Sequence, residues 1–187
     1  MEIVLLKQIC IMFLLIAVGM LLVKTEFLSE RGAKDLGAVL LRAVIPCVVI
    51  KSYITEYSHE RLFEQAESMF LTILALAIAM AVSYLVFGTR RRIEDVAAAF
   101  SNVGFIGIPL IQSVLGDSAI FYLTPLIAVL NILQWTYGVY IMTGDRKSIQ
   151  VKTILTNPVV LSLAAGLLLF ILQIPVPSVV TGALNHM

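Results

Sequence analysis

The apolar residues of this chain are gathered in long continuous blocks, and this clustering constrains the fold more than any other feature. A transmembrane helix needs about 20 predominantly apolar residues to cross the hydrocarbon core of a bilayer. Blocks of about this length predict an all-α membrane protein with about six transmembrane helices. They lie at residues 3–23, 34–53, 69–87, 96–115, 119–142 and 157–172.

The overall composition supports the same class of protein. Of the 187 residues, 60% are apolar and 13% are charged, whereas a soluble domain carries about 25% charged residues. The net charge is +1 and no basic patch is interleaved with aromatic residues, which counts against nucleic-acid binding. Cys10 and Cys47 lie inside apolar blocks without the spacing of metal ligands, so we expect no metal and no cofactor.

Catalytic signatures are missing from the sequence as well. It contains no HExxH, no GxSxG and no Gly-rich phosphate loop, so we do not expect an enzyme. No Asp or Glu lies deep within an apolar block. A carboxylate that relays a coupled proton or sodium ion is therefore expected to come from residues outside this chain.

The basic residues predict the orientation in the membrane. Three alternate loops, between blocks one and two, three and four, and five and six, hold nine of the 13 basic residues. Cytoplasmic loops carry the excess of Lys and Arg, so the N-terminus is expected outside. We expect a multi-pass protein of the cell (plasma or inner) membrane, and the strong bias disfavours dual topology. The nine residues are Lys24, Arg31, Lys34, Arg90, Arg91, Arg92, Arg146, Lys147 and Lys152.

A short internal similarity links the first and sixth blocks. Residues 17–22 read AVGMLL and residues 164–169 read AAGLLL, at an offset of 147 residues. Five blocks separate the two starts, so a repeat that begins at block six would enter the membrane in the opposite sense, as in many secondary transporters. A complete protein on this plan has about 300 residues. An accidental match is the alternative, since Ala, Gly and Leu are common in membrane helices.

The middle of the fourth block carries the clearest chemical signal, the pattern Ser-Asn-x-Gly-x-x-Gly-x-Pro. Pro109 lacks an N–H and deprives the carbonyl of Phe105 of its helical partner, and it disfavours helical geometry at Ile108. Gly104 and Gly107 lower the cost of an unwound turn. The pattern predicts a break in the helix, which must face protein or a water-filled cavity because lipid does not tolerate irregular backbone.

A broken helix at membrane depth is a typical site for a solute or an ion. Half-helix N-termini favour anions and free carbonyls favour cations. The amide of Asn102 is close enough to Pro109 to line the same cavity. The alternative is a proline kink that only shapes helix packing.

Two further blocks contribute candidate residues. Asn131 and Gln134 lie one turn apart on one face of block five, where they either face block four across the cavity or form interhelical hydrogen bonds. Pro46 is either a kink in block two or a border of the site. The predicted substrate-binding residues are Ser101, Asn102, Gly104, Phe105, Gly107, Pro109, Asn131, Gln134 and Pro46.

The fourth block, followed by Gly116 and Asp117, resembles the crossover helix of the auxin efflux carrier family. The pairs Ile45-Pro46 and Asn157-Pro158 agree with the resemblance, which covers the whole chain. It implies a ten-helix carrier with two inverted five-helix repeats and discontinuous crossover helices four and nine. Alternating access then moves malate, malonate and similar small organic anions.

On this plan the chain holds one five-helix repeat and the first helix of the second. Residues 1–143 form the first repeat, residues 144–156 a cytoplasmic linker, and residues 157–187 the incomplete start of the second repeat. The partners implied are an organic anion, a coupled proton or sodium ion, the lipid bilayer and, in the complete form, a second copy in a homodimer. The alternative function is that of a non-transporting integral membrane subunit or a decayed carrier fragment.

Overall fold

The structure is a computed structural model that describes residues 2–186. Helices make up all its regular secondary structure within that range, and they follow the six apolar blocks, here called segments one to six. Segment one is helix α1 (Glu2–Lys24). Segment two joins α2 (Glu30–Val39), a π-helical turn (Leu40–Val44) and α3 (Ile45–Ser52). Segment three is α4 (His59–Phe87).

The remaining segments are built from shorter pieces. Segment four consists of α5 (Arg92–Ala99), a π-helical turn (Val103–Gly107) and α6 (Ile108–Leu115). Segment five joins α7 (Ile120–Leu133), a third π-helical turn (Gln134–Gly138) and α8 (Val139–Thr143). After α9 (Val151–Leu155), segment six is α10 (Pro158–Leu172), and α11 (Ser178–Asn185) follows it.

Four helices of the described residues are long and apolar enough to cross a membrane: Ile3–Lys24, His59–Arg90, Arg92–Leu115 and Asp117–Thr143. The helices Arg146–Leu155 and Pro158–Leu172 meet at 42° and form a fifth candidate if they are one broken span. The prediction of an all-α membrane protein is confirmed. Segment two is helical as expected, but it is not among the helices that are apolar enough to cross a membrane. Charged side chains interrupt it: Lys34, Asp35, Arg42 and Lys51.

Short polar side chains begin several of these segments. The hydroxyl of Ser29 accepts a hydrogen bond from the N–H of Gly32 at 3.0 Å, and that of Ser58 accepts one from Arg61 at 3.1 Å. The side-chain oxygen of Asn157 accepts one from Val159 at 2.9 Å. Each of these satisfies a backbone donor that has no partner within its own helix.

The core lies where segments two, five and six meet. Helix α10 packs against α3 and α7, and α4 packs against α5 and α7, while α1 lies at the edge and contacts α6. Tyr53 and Phe170 are buried and their rings pack with that of Phe121, with centroids 4.9 Å apart for Tyr53–Phe121 and 5.2 Å for Phe121–Phe170. This arrangement sets the geometry of the candidate site, because segments two, five and six supply three of its walls.

Candidate functional site

Segment four is broken where α5 ends. Phe100 is extended, with φ −115° and ψ 114°, and Asn102 is also outside helical geometry, with φ −87° and ψ 77°. The helix resumes at Val103, and the side-chain oxygen of Asn102 accepts a hydrogen bond from the N–H of Phe105 at 3.1 Å. The fourth segment is therefore discontinuous, and Asn102 caps the N-terminus of its second half.

The break lies about two turns before Pro109 rather than at the proline. Ile108 is helical, with φ −58° and ψ −58°, and its N–H bonds to the carbonyl of Val103, five residues earlier. The expectation that Pro109 displaces Ile108 from helical geometry is therefore wrong. The wider π turn moves the preceding carbonyls away from the proline ring, which otherwise clashes with the carbonyl four residues back.

Segment two uses the same arrangement around its own proline. The π turn Leu40–Val44 ends two residues before Pro46, as the turn Val103–Gly107 ends two residues before Pro109. The two turns also approach each other, since a Cβ atom added at Gly104 would lie 2.9 Å from Cδ1 of Ile45. The absence of a side chain at Gly104 therefore lets segments two and four approach each other closely. It does not serve an unwound turn, as the sequence suggested.

A cavity of about 380 Å³ lies at the break. Its walls come from segments two, four and five and from the start of segment six, and it brings together six of the nine predicted residues. These six are Ser101, Asn102, Gly104, Phe105, Asn131 and Gln134.

The other three predicted residues do not line the cavity. Pro46 is buried at the start of α3, and Gly107 and Pro109 lie beyond the π turn of segment four. The sequence did not predict the apolar residues that line the cavity, since nothing in the sequence distinguishes them from other apolar residues of a membrane helix. These apolar residues are Leu41, Ile45, Phe100, Val103, Ile127, Leu130 and Val159.

The two amides of segment five line the cavity together with residues of segment four. The side-chain N–H of Asn131 donates to the carbonyl of Ile127 in its own helix at 2.8 Å, so this bond is not interhelical. Only one hydrogen of the amide is used there, and the amide also carries an acceptor oxygen. Gln134 opens the third π turn, at the end of which Gly138 lies against the ring of Phe100.

The electrostatics of the cavity come from the backbone and from neutral amides. None of its lining side chains is ionisable in the described part of the chain, and residues 2–186 contain no cluster of side chains that could hold a metal ion. The half-helix that starts at Val103 directs its positive end and its first N–H groups toward the break. This arrangement suits a carboxylate or a similar anion.

Two larger cavities lie elsewhere and contain none of the break residues. One, of about 600 Å³, is lined by Tyr84, Arg92 and Tyr137 among others. The other, of about 650 Å³, is lined by residues that include Lys51 and Asp117. We assign the candidate site to the smaller cavity, because it combines broken backbone with convergent amides.

Comparison with known protein families identifies a relationship for most of the chain. A family model described as "Membrane transport protein" matches residues 4–160. No curated protein and no solved structure matches. The matched range contains the break and every residue that lines its cavity.

Proposed function

The chain belongs to the membrane transport protein family, that of the auxin efflux carriers, and from this premise we propose that it carries small organic anions, such as dicarboxylates. Membership makes it a multi-pass membrane transport protein. The proposal adds the substrate class and the mechanism, which is alternating access around the break in segment four.

One observation carries the proposal: the N-terminus of a half-helix opens onto a cavity lined by neutral amides. Asn102 caps that N-terminus while Asn131 and Gln134 line the same cavity from segment five. A carboxylate bound there would accept hydrogen bonds from backbone N–H groups and would meet the positive end of the helix dipole. The volume of about 380 Å³ suits a small solute, since ligand pockets range from about 300 to 1,000 Å³.

The packing of the two halves of segment four supports movement at the break. Helix α5 packs against α4 and α8, whereas α6 packs against α1 and α7. The halves therefore contact different helices, although α4 also packs against α7 and α8 continues α7, and they are joined by the non-helical residues 100–102. A change at these residues can alter which side of the membrane the cavity faces, as hinge residues do in other proteins.

The remaining features of the proposal concern the complete assembly. The N-terminus lies outside the cell membrane in this proposal. A second, inverted repeat begins at segment six and completes the pocket. A homodimer and a coupled proton or sodium ion belong to the same proposal. The loop charges support the orientation, and the similarity of residues 17–22 to residues 164–169 supports the repeat.

Substitution of Asn102 tests the site. In a complete version of the carrier, Asn102→Ala should abolish uptake of radiolabelled malonate into vesicles while membrane insertion stays intact. Because alanine also removes a helix cap, at a cost of about 0.5–2 kcal/mol, Asn102→Asp is the sharper variant. Asp caps a helix about as well as Asn, but its negative charge at the mouth of the cavity should repel malonate and abolish uptake.

The chain offers a matched control in Asn157, which caps α10 in the same way but does not line the cavity. Asn157→Asp should insert and take up malonate like the wild type. Normal uptake by Asn102→Asp would refute the site assignment. If the wild type neither transports malonate nor is stabilised by it against heating in detergent, the alternative of a non-transporting subunit or a decayed carrier gains support.

A further inference from the structure

Asp95 is a buried carboxyl that the candidate site does not use. It lies in α5, little more than one turn before the break, and it is 0% exposed. The fourth apolar block was expected to start one residue later, so the sequence alone placed this side chain outside the helix. The structure instead encloses it between α5 and α4, next to Ser83. It is the only buried acidic residue in the described part of the chain.

The hydrogen atoms at this contact can be counted. The hydroxyl oxygen of Ser83 lies 2.5 Å from Oδ1 of Asp95 and 2.6 Å from the main-chain oxygen of the same residue. A serine hydroxyl has one hydrogen, and an ionised carboxylate has none to donate. If Asp95 is ionised, this single hydrogen must be shared between two acceptor oxygens, which weakens both contacts.

A neutral carboxylic acid satisfies both contacts. Its hydrogen on Oδ1 then points to the hydroxyl oxygen of Ser83, and the hydroxyl hydrogen points to the main-chain oxygen of Asp95. The second carboxyl oxygen, Oδ2, is buried and has no hydrogen-bond partner. An unpaired oxygen is far less unfavourable in a neutral acid than in a buried charged group.

The basic side chain closest in sequence is directed elsewhere. The guanidinium of Arg92 donates to the carbonyl of Thr89 at 3.3 Å and lies against Gly144 at the end of segment five. Asp95 is therefore not balanced by the adjacent arginine. The other titratable groups near this contact lie on α5 and on the elements packed against it: Arg90, Arg91, Glu94, Tyr84, Tyr137 and Tyr140.

A route for a proton lies beside the contact. Tyr137 lines the cavity of about 600 Å³ that Tyr84 of α4 and Arg92 of α5 also line. Five of the residues that line this cavity carry hydroxyl or guanidinium groups that can hold water: Tyr84, Thr89, Arg92, Tyr137 and Tyr140. A small movement of α5 away from α4 would open the buried carboxyl to that cavity.

We propose that Asp95 is a proton-binding site, held as a neutral acid in the contact with Ser83, which exchanges its proton through this cavity when α5 moves. Water removes the proton from Oδ1 as the contact opens and leaves a carboxylate, and the reverse transfer restores the acid as it closes. No electrons move. The coupling of this exchange to solute movement rests on the proposed function, since α5 is one half of the broken segment.

Infrared spectroscopy of the purified protein tests the protonation state without any transport assay. The wild type at neutral pH should show a carboxylic-acid C=O band that Asp95→Asn removes. The amide of Asn can donate to Ser83 as the acid does, so the variant should fold. Glu94→Gln is the matched control, because Glu94 is the exposed neighbour, and it should leave the band unchanged. A wild-type spectrum without a band that depends on Asp95 would overturn the proposal.

Ser83→Ala provides a second variant should Asp95→Asn fail to fold. It removes the acceptor of the acid hydrogen, so the same band should shift in frequency. An unchanged band frequency would show that the carboxylic acid does not contact Ser83. It would therefore contradict the proposed proton-binding site.

Transport separates this inference from the proposed function. In vesicles, an imposed pH gradient should accelerate malonate uptake by the wild type. Asp95→Asn should lose that acceleration and keep malonate exchange at equal pH on both sides. Full acceleration in Asp95→Asn would overturn the coupling role. If the wild type shows no malonate movement at all, the proposed function fails, while the infrared band still decides whether Asp95 binds a proton.

Discussion

Gly166 and Gly19 occupy equivalent places in the two similar stretches of the chain, yet the structure predicts opposite effects for the same substitution. A Cβ atom at Gly166 would lie 2.9 Å from Cγ and 3.2 Å from Cβ of Tyr53, and closer still to one ring carbon. At Gly19, no atom lies within 4 Å of the added Cβ. Gly166→Ala should therefore weaken the contact between segments six and two, and Gly19→Ala should not.

The magnitude follows from how firmly the tyrosine ring is held. Tyr53 is 1% exposed, and its hydroxyl lies 2.5 Å from that of Thr124, so the ring cannot swing aside without breaking a buried bond. Overpacking of this kind costs about 1–3 kcal/mol. Alanine recovers up to about 1 kcal/mol over glycine inside a helix. The net loss for Gly166→Ala is therefore about 0–2 kcal/mol, and Gly166→Ala should be less stable than Gly19→Ala by the whole overpacking cost of about 1–3 kcal/mol.

Thermal unfolding in detergent, followed by circular dichroism, measures the difference. Gly166→Ala should melt several degrees below Gly19→Ala, because a domain of 150–250 residues loses about 2–4 °C per kcal/mol. Gly19→Ala should melt at or slightly above the wild-type temperature. Combining Gly166→Ala with Tyr53→Ala should remove the extra cost of the added methyl group, since neighbouring substitutions are not additive. Equal melting temperatures for Gly166→Ala and Gly19→Ala would refute the packing argument.

Two further substitutions probe the core and the cavity. Tyr53→Phe removes the hydroxyl that forms hydrogen bonds of 2.5 Å with both Gln65 and Thr124. The same melting assay should show a loss of about 1–3 kcal/mol, because buried polar groups are left unpaired. An unchanged melting temperature would contradict this. Gly104→Ala places a methyl group 2.9 Å from the flexible end of the Ile45 side chain. Because that end can shift, stability should fall by less than about 1 kcal/mol, while malonate uptake should fall more strongly. Unchanged uptake would show that the space at Gly104 is not needed for the solute.

The sequence predicted the positions of the helices well because the signals for them are local. Segment five was expected at residues 119–142 and runs, with its π turn, from Ile120 to Thr143. The membership in the auxin efflux carrier family, suggested by the pattern of segment four, is confirmed. The site residues and the inverted repeat stay predictions, which the experiments on Asn102 and on Asp95 address.

The position of the break shows where local reasoning was insufficient. Proline and glycine rules placed it at Pro109, but the π turn that ends at Gly107 accommodates the proline ring. The chain instead leaves helical geometry at Phe100, whose ring packs against Gly138 of segment five. A contact between two segments, rather than the pattern of one, accompanies the break at that position.

The sequence by itself determined that the chain is helical, that it belongs in a membrane and that segment four is discontinuous. These properties follow from the lengths of the apolar blocks and from residues within a few turns of one another. Only the tertiary structure decided which side chains line the cavity, that Gly166 and not Gly19 is tightly packed, and that Asp95 is buried. The physical reason is that a lipid-facing surface is as apolar as a packed one. Hydrophobic periodicity therefore cannot show which face of a membrane helix meets its neighbours.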